Sequence, residues 1–314
     1  DCVRQFCCRM KEKYQKEYLR LPTPEDIKAI NNLHKSVHGV PGMFGSVDCM
    51  QCYWKNCPVA WQGHYKKGGK LAKPSLVLEA ISDYHLWFWH TSFGYAGSLN
   101  DLNVLNLSPF LESLKDGSFK GVETAAGVVP FDLDGEEFER LFILADGIYP
   151  NYARFVKGIS QPIWHSEKIY TAWQEAARKD IERAFGNLQG KFQVMARPLR
   201  PHSLSDCADV TSCCLILHNM SVSDRVMGDP RARYKPDHSL ETEERVQLPE
   251  DLLDSQGNTL PRVRVGLSKA TDITQAIMTR RQEWLEVTNE YEHQRLYQAL
   301  TRVKVKQYAA MNGQ

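Results

Sequence analysis

The period of the hydrophobic positions changes several times along this chain, and each change marks an element. Phe6, Met10, Tyr14 and Tyr18 recur near helical spacing. A second helix starts at Thr23-Pro24-Glu25-Asp26, where a threonine cap, a first-turn proline and two acids all favour a helix start. Residues 1–38 therefore read as two helices, ended by Gly39-Val40-Pro41-Gly42. Phe44 to Tyr53 reads as a buried strand. Ser75 to Ser82 and Leu86 to Phe93 are apolar runs joined by Asp83-Tyr84-His85, which predicts a hairpin. Trp87, Phe88 and Trp89 are adjacent, so they cannot all face one way, and at least one belongs to the core.

Asn100 to Leu114 predicts one helix led by a good capping residue, and Gly117 to Glu139 a surface excursion. Leu141 to Ala145 reads as a short strand ending in Asp146-Gly147, and Pro150 to Val156 as a short helix. Trp173, Ala177, Ile181, Phe185, Leu188 and Phe192 give an amphipathic helix over 170–192. Leu204 to Ser221 predicts another. Beyond Asp229 the chain turns polar and proline-bearing, and a long charged helical pattern resumes from Ala270 to Ala310. Hairpin strands followed by helical crossovers predict an α/β fold, with a mixed sheet flanked by helices and helical extensions at both ends.

Composition narrows the class. With 314 residues, 42% apolar and 25% charged, the chain can bury a full core, which excludes disordered and collagen-like proteins. No run of eighteen apolar residues spans a membrane, and the first ten residues lack the apolar stretch of a signal peptide. The chain opens with Asp1 rather than Met, as expected of a fragment. Nine cysteines, an odd count without a secretory signal, favour free thiols in a reducing compartment. The net charge of +1 points to no partner, but its distribution is uneven. Lys55, Lys66, Lys67, Lys70 and Lys73 lie between Cys49 and Leu78 with no acid among them. Arg183, Lys191, Arg197 and Arg200 form a second acid-free stretch, while Asp132 to Glu139 holds five acids.

Three acids occupy costly positions. Asp48 lies inside the apolar strand Phe44-Gly45-Ser46-Val47-Asp48-Cys49-Met50, Asp146 ends the run Leu141 to Ala145, and Glu182 sits beside the apolar stripe of the long helix. A carboxylate on a central strand is desolvated and needs a partner or a metal. Adjacent strands would bring Asp48 and Asp146 together, and a helix packed on the sheet would deliver Glu182. Two divalent cations would then relieve the repulsion and support in-line phosphoryl displacement. Each acid also has a plainer explanation: Asp146-Gly147 as a turn, Glu182 paired with Arg178 or Arg183 on the surface. Asp48 is the hardest to explain that way. The lysines after the Asp48 strand are either phosphate contacts or a solubilising loop. Cys49, Cys52, Cys57 and His64 are off the pattern of a zinc site, Cys213-Cys214 with His218 read as core, and Lys67-Gly68-Gly69-Lys70 lacks the spacing of a P-loop.

Several blocks are recognisable. Pro41 to Met50 followed by Trp54-Lys55-Asn56-Cys57-Pro58 resembles the first-aspartate block of PIF/Harbinger transposases, in the plant-type DDE branch. Lys73 to Ala80 and Gly97-Ser98-Leu99-Asn100-Asp101-Leu102-Asn103-Val104-Leu105 resemble the next two blocks, and Leu144 to Pro150 the second-aspartate block. Gln174 to Phe192 is similar to the glutamate block, and Leu215 to Met220 to the helix after it. The blocks run in family order from about Tyr18 to Asp224.

The resemblance implies an RNase H-like fold over 41–228 and a metal-dependent nuclease/transposase. Asp48, Asp146 and Glu182 are the implied catalytic and metal-binding triad, with Mg²⁺ or Mn²⁺, in two ions, as cofactor. Ninety-seven residues lie between the first two and 35 between the last two. Asp101 is a supporting acid, a helix cap or a rival for the second ligand; Asp146 is preferred because a strand end suits that role. Arg183 is a second expected supporting residue. Lys55, Lys66, Lys67, Lys70, Lys73, Lys191 and Arg197 are expected DNA contacts. Transposon-end and target DNA are the implied substrates, a Myb-like protein and a second copy of the chain the further expected partners, and the nucleus the expected location. Residues 1–40 would be a lead-in left from a DNA-binding region, and 229–314 a polar linker with a helical extension. The alternative function is a domesticated, non-catalytic DNA-binding or adaptor protein that keeps the fold.

Overall fold

The computed structural model describes residues 2–68, 72–115, 123–124, 127–128, 130–226, 285 and 287–311. Two helices lead in, α1 (Cys2–Tyr18) and α2 (Pro24–His38). Thr23 caps α2 through the Asp26 N–H while the Asp26 carboxylate accepts the Thr23 N–H, a reciprocal capping box. The same carboxylate pairs with the buried Arg20 guanidinium, tying the α1–α2 corner.

Three antiparallel strands follow: β1 (Met43–Tyr53), β2 (Ser75–Ser82) and β3 (Phe88–Ala96), with short helix α3 (Gln62–Tyr65) between the first two. Every residue of β2 is buried, which explains its continuous apolar run. Trp87, Phe88 and Trp89 are all buried, not merely one of them: Trp87 and Trp89 join one core cluster and Phe88 the other. Apolar layers on both faces of the sheet make this possible.

The predicted helix over 100–114 is two helices, α4 (Asp101–Leu107) and α5 (Pro109–Lys115). Pro109 holds Ser108 in an extended conformation and opens a new helix. The excursion from Gly117 is also more structured than expected. It contains β4 (Glu123–Thr124) with β5 (Gly127–Val128), and β6 (Phe131–Leu133) with β7 (Glu136–Phe138). Phe131, Leu133 and Phe138 are buried core residues, so the acids between them cover an apolar hairpin.

Strand β8 (Phe142–Leu144) lies parallel to β1, and β9 (Phe155–Val156) parallel to β8. The short helix expected over 150–156 is absent from these described residues. Phe155 and Val156, both buried, pair with Ile143 and Leu144 instead, and this pairing with the sheet overrides the local helical pattern. The sheet order is β3-β2-β1-β8-β9, a mixed sheet of five strands among the described residues.

The long helix α6 (His165–Lys191) crosses the sheet, and α7 (Gln193–Ala196) and α8 (Leu204–Val226) follow. Helix α8 packs on β3 and α1. Its Asn219 reads the backbone of the edge strand as a strand would: Oδ1 accepts the Phe88 N–H at 3.0 Å, and Nδ2 donates to the Phe88 carbonyl at 3.0 Å. That docking meets polar groups an edge strand leaves open.

Helix α9 (Glu290–Met311) covers part of the expected C-terminal helix; the part before 285 lies outside the described residues. It packs on α6 and on the β6–β7 hairpin. Arg295 pairs with Glu136 at 3.0 Å and Arg302 with Asp134 at 2.8 Å, while Lys306 also reaches Asp134. Two acids of the acidic run, Asp134 and Glu136, are thus matched by bases of α9. Lys304 is buried, donates to the His38 carbonyl and to Gln307, and stands 4.6 Å over the Trp173 ring.

Leu296, Ala299 and Leu300 of α9 belong to the same core cluster as β1 and β8. Leu300→Ala is therefore expected to destabilise the whole fold by about 2–4 kcal/mol. Urea unfolding followed by circular dichroism measures it, and a loss below about 0.5 kcal/mol would show α9 to be a loose appendage.

Candidate active site

Strand β8 stops pairing with β1 at Leu144, opposite Ser46. Asp48 and Asp146 each lie two residues further on, so the two aspartates leave neighbouring parallel strands in step, at the C-terminal end of β8. Beyond that point β1 continues, paired with β2. The result is a notch in the sheet with Asp48 on its floor, the kind of crevice where α/β sheets commonly bind ligands.

Helix α6 closes one side of the notch. Gln174, buried, donates from Nε2 to the carbonyls of Ala145 and Val156, both at 3.0 Å, and so fixes the helix to the ends of β8 and β9. One turn later Arg178 reaches Asp48, with Nη1 3.4 Å from Oδ2. One further turn on, Glu182 Oε1 lies 3.0 Å from Arg178 Nη2. The i, i+4, i+8 stripe of Gln174, Arg178 and Glu182 is how one helix presents an anchor, a cation and an acid to the same edge.

Asp48 is only 20% exposed, against 48% for Glu182. Burial pushes the Asp48 carboxyl up to about 6, against the pull of the Cys49 N–H and Arg178, and the nearby charges of Asp101 and Glu182 push it further. Asp101, the first residue of α4, approaches from the other side. Burial raises its carboxyl too; the Cys49 thiol and Lys67 oppose this, and Asp146 and Glu79 add to it. Asn100 is the cap of α4, accepting the Asn103 N–H at 2.8 Å, so Asp101 does not serve as the cap. Asp146 is exposed and accepts the Gly147 N–H at 2.7 Å, and its charge is felt by Lys157.

Behind the notch lies a buried polar group that the sequence did not reveal. Glu79, fully buried on β2 and opposite Cys49, accepts from Ser108 and lies 3.3 Å from His90 Nε2. Its Oε1 has no hydrogen-bond partner among the described residues. Tyr149 stands 3.8 Å from the Cys49 thiol. A polar residue inside a strand of unbroken apolar neighbours was the available signal for Glu79, and a glutamine one turn before Arg178 was the signal for Gln174.

The other candidates spread more widely. Arg183 turns from Glu182 to the buried Asp180 and stacks over Tyr84, 5.4 Å from its ring. Lys55, Lys67 and Lys73 are exposed, and Lys66 donates to Gln62 at 3.0 Å; Lys70 lies outside the described residues. Lys67 is near enough to Asp101 to affect its charge. Lys191 donates to Ser221 at 2.6 Å beside α8, and Arg197 is exposed after α7. Cys52 and Cys57 are buried apolar core members.

The donor chemistry suits a hard divalent cation, because Asp48, Asp101, Asp146 and Glu182 offer only carboxylate oxygens, and burial penalises the charge of Asp48 and Asp101. Their spacing is another matter. Among the described residues no three His, Cys, Asp or Glu side chains are grouped closely enough to hold one ion. Between Asp48 and Glu182 the Arg178 guanidinium takes that place.

Residues 16–229, which include all four acids and Arg178, match the model of a family described as plant transposon protein. No curated protein and no solved structure matches the chain. No helix among the described residues is long and apolar enough to cross a membrane.

Because the Asp48 carboxyl is raised in the folded state, the unfolded chain ionises there first, near its ordinary 3.8. The stability tied to this group is full below about pH 4 and is lost as pH rises through about 6. In metal-free buffer, Asp48→Asn should remove that loss, making the variant more stable than wild type at pH 7.5 by up to about 2–3 kcal/mol, and equal to it near pH 4. Thermal melts of both proteins across pH 4–8 check this; parallel curves would contradict the assigned burial penalty.

Proposed function

Since the chain belongs to the plant transposon protein family, we propose that it is a DDE transposase of the PIF/Harbinger type, cutting and joining DNA with two Mg²⁺ or Mn²⁺ ions. One observation carries the reading: Asp48 in the middle of β1 and Glu182 of α6 share one guanidinium at the notch, Asp146 leaves the neighbouring strand in step with Asp48, and Asp48 is too buried to be an ordinary surface aspartate. The strand order, three antiparallel strands continued by two parallel ones with a helix crossing them, supports an RNase H-like fold.

In this proposal Asp48, Asp146 and Glu182 are the residues that would hold the ions. The bound ions would generate the nucleophile and stabilise the leaving oxygen. A water oxygen forms a bond to phosphorus at the element end, the bond to the 3′ oxygen breaks, and that oxygen leaves as a hydroxyl. The 3′-hydroxyl then attacks a phosphodiester of target DNA, exchanging one such bond for another. The chain's own contribution is mostly position and charge. Asp48 is fixed by a strand paired on both sides before the notch, and α6 is pinned by Gln174, so neither ligand has to be ordered when DNA arrives. Lys67 beside Asp101, with Lys55, Lys66 and Lys73 on the same segment, supports phosphate contact next to the notch. Lys191 and Arg197 belong to a separate surface near α7 and α8. A nuclear location, a Myb-like partner and a second copy of the chain are part of the same proposal.

The test uses the full chain, labelled duplexes carrying candidate transposon ends, and Mg²⁺ or Mn²⁺. Asp48→Asn and Glu182→Gln should each lower metal-dependent cleavage on the order of a thousandfold or more while the proteins still bind duplex DNA. Unchanged cleavage by Asp48→Asn would overturn the triad. Duplex binding by the wild type without any cleavage would favour the non-catalytic adaptor instead.

Replacing Lys55, Lys66, Lys67 and Lys73 together by alanine should weaken duplex binding and flatten its salt dependence, by about 0.9 in logarithmic slope for each phosphate that these lysines neutralise. Fluorescence anisotropy over a salt series reads this directly. An unchanged slope would make the segment a solubilising loop.

A further inference from the structure

The cation in the notch belongs to the protein. Arg178 is 19% exposed and places one nitrogen on Asp48 and another on Glu182, at 3.4 and 3.0 Å. A fork of this kind suits two carboxylate oxygens better than a single ammonium would. Its position is not incidental, because Gln174 anchors the preceding turn of α6 to the sheet at two carbonyls. Arg183, five residues on, is committed to Asp180 and Tyr84 and offers the notch nothing. The other basic groups near the acids lie at its margin, Lys67 toward Asp101 and Lys157 toward Asp146.

We propose that Arg178 is a displaceable counterion: its guanidinium occupies the place between Asp48 and Glu182 that a divalent cation takes, so that metal binding and the Arg178 bridge exclude one another. This rests on the metal-site reading given above. Without a cation there, Asp48, Asp101 and Glu182 would repel one another around the floor of the notch, and the notch would tend to open. With Arg178 in place the acids stay oriented in the absence of metal. On metal entry the side chain has to swing away, a movement its long flexible stem permits without any shift of the α6 backbone. Because both cations compete for the same oxygens, the coupling between them is unfavourable, and removing one strengthens binding of the other.

The sign of that effect separates this role from a merely structural one. A residue needed only to shape the notch would weaken metal binding when replaced. Arg178→Gln should instead tighten it.

The experiment titrates Mn²⁺ into the full-length wild type, Arg178→Gln and Arg178→Lys at one pH and ionic strength without DNA, reading bound metal by calorimetry and by the electron paramagnetic resonance of free Mn²⁺. Arg178→Gln should bind on the order of tenfold more tightly than wild type. Arg178→Lys, whose single ammonium cannot span both acids, should fall between them, and it carries the test should the glutamine variant lose its native circular dichroism. Equal or weaker binding by the folded variants would overturn the role of Arg178 while leaving the metal site standing. Absence of Mn²⁺ binding in all three proteins would overturn the metal site and this inference with it.

Discussion

A carboxylate on the middle strand of a sheet covered on both faces cannot be left to itself, and in this fold Asp48 organises what surrounds it. Burial alone penalises its charge. Most strands solve the problem by not having such a residue. Here β8 ends two residues short of it, α6 crosses beside it, and an arginine from that helix supplies the missing positive charge. The notch follows from these choices: a shortened parallel neighbour provides access, and the antiparallel partner β2 keeps the floor rigid. Without the acid, the partly buried Arg178 of α6 would lose its partner on the sheet.

The energetic balance of the notch is poor by the standards of a structural ion pair. One guanidinium faces Asp48 and Glu182, with Asp101 also in electrostatic range, and the contact to the most buried acid, at 3.4 Å, is the longer of its two. A site selected for stability alone would close this gap with a second arginine or replace the acids by apolar residues of similar volume. Uncompensated negative charge in a concave place suits the arrival of a cation or the binding of one, which is the electrostatic pattern of functional sites. Behind the notch, Glu79 repeats the theme with one oxygen unpartnered among the described residues. Around the notch the two most enclosed acids are therefore Asp48 of β1 and Glu79 of β2, while Asp146 and Glu182 lie in more exposed positions.

Much of this was legible in the sequence because the strongest signals were violations of local pattern. Asp48 stood out among apolar neighbours on a strand, and the Thr23-Pro24 start, the β2–β3 hairpin and the stripe of α6 were set by short-range chemistry that survives in the folded chain. The failures have a common cause. Phe155 and Val156 looked helical by spacing but became an edge strand, because the open edge of β8 offered hydrogen bonds that only the tertiary fold provides. The 117–139 segment looked like surface because its acids are conspicuous, whereas Phe131, Leu133 and Phe138 are core. Arg178 and Arg183 were equal candidates as partners of Glu182. The choice depended on which side of α6 meets the sheet, and that is fixed by Gln174 gripping Ala145 and Val156 from 29 and 18 residues away.

Helix α9 lies beyond the segment that matches the family, yet it is no appendage. Its Leu296, Ala299 and Leu300 complete the core layer formed by β1 and β8, and Lys304 reaches the His38 carbonyl at the end of α2. It also packs on α6, the helix that carries Arg178 and Glu182. The same α6 is therefore held from two directions: Gln174 ties it to the strand ends, and α9 presses on its outer side through Tyr297 against Tyr170, with ring centroids 4.9 Å apart. A helix clamped on both sides cannot shift to bring its acid closer to Asp48. Any adjustment of the notch must then come from side chains. Arg178, with the longest and most flexible stem among the groups facing Asp48, is the part of the site built to move.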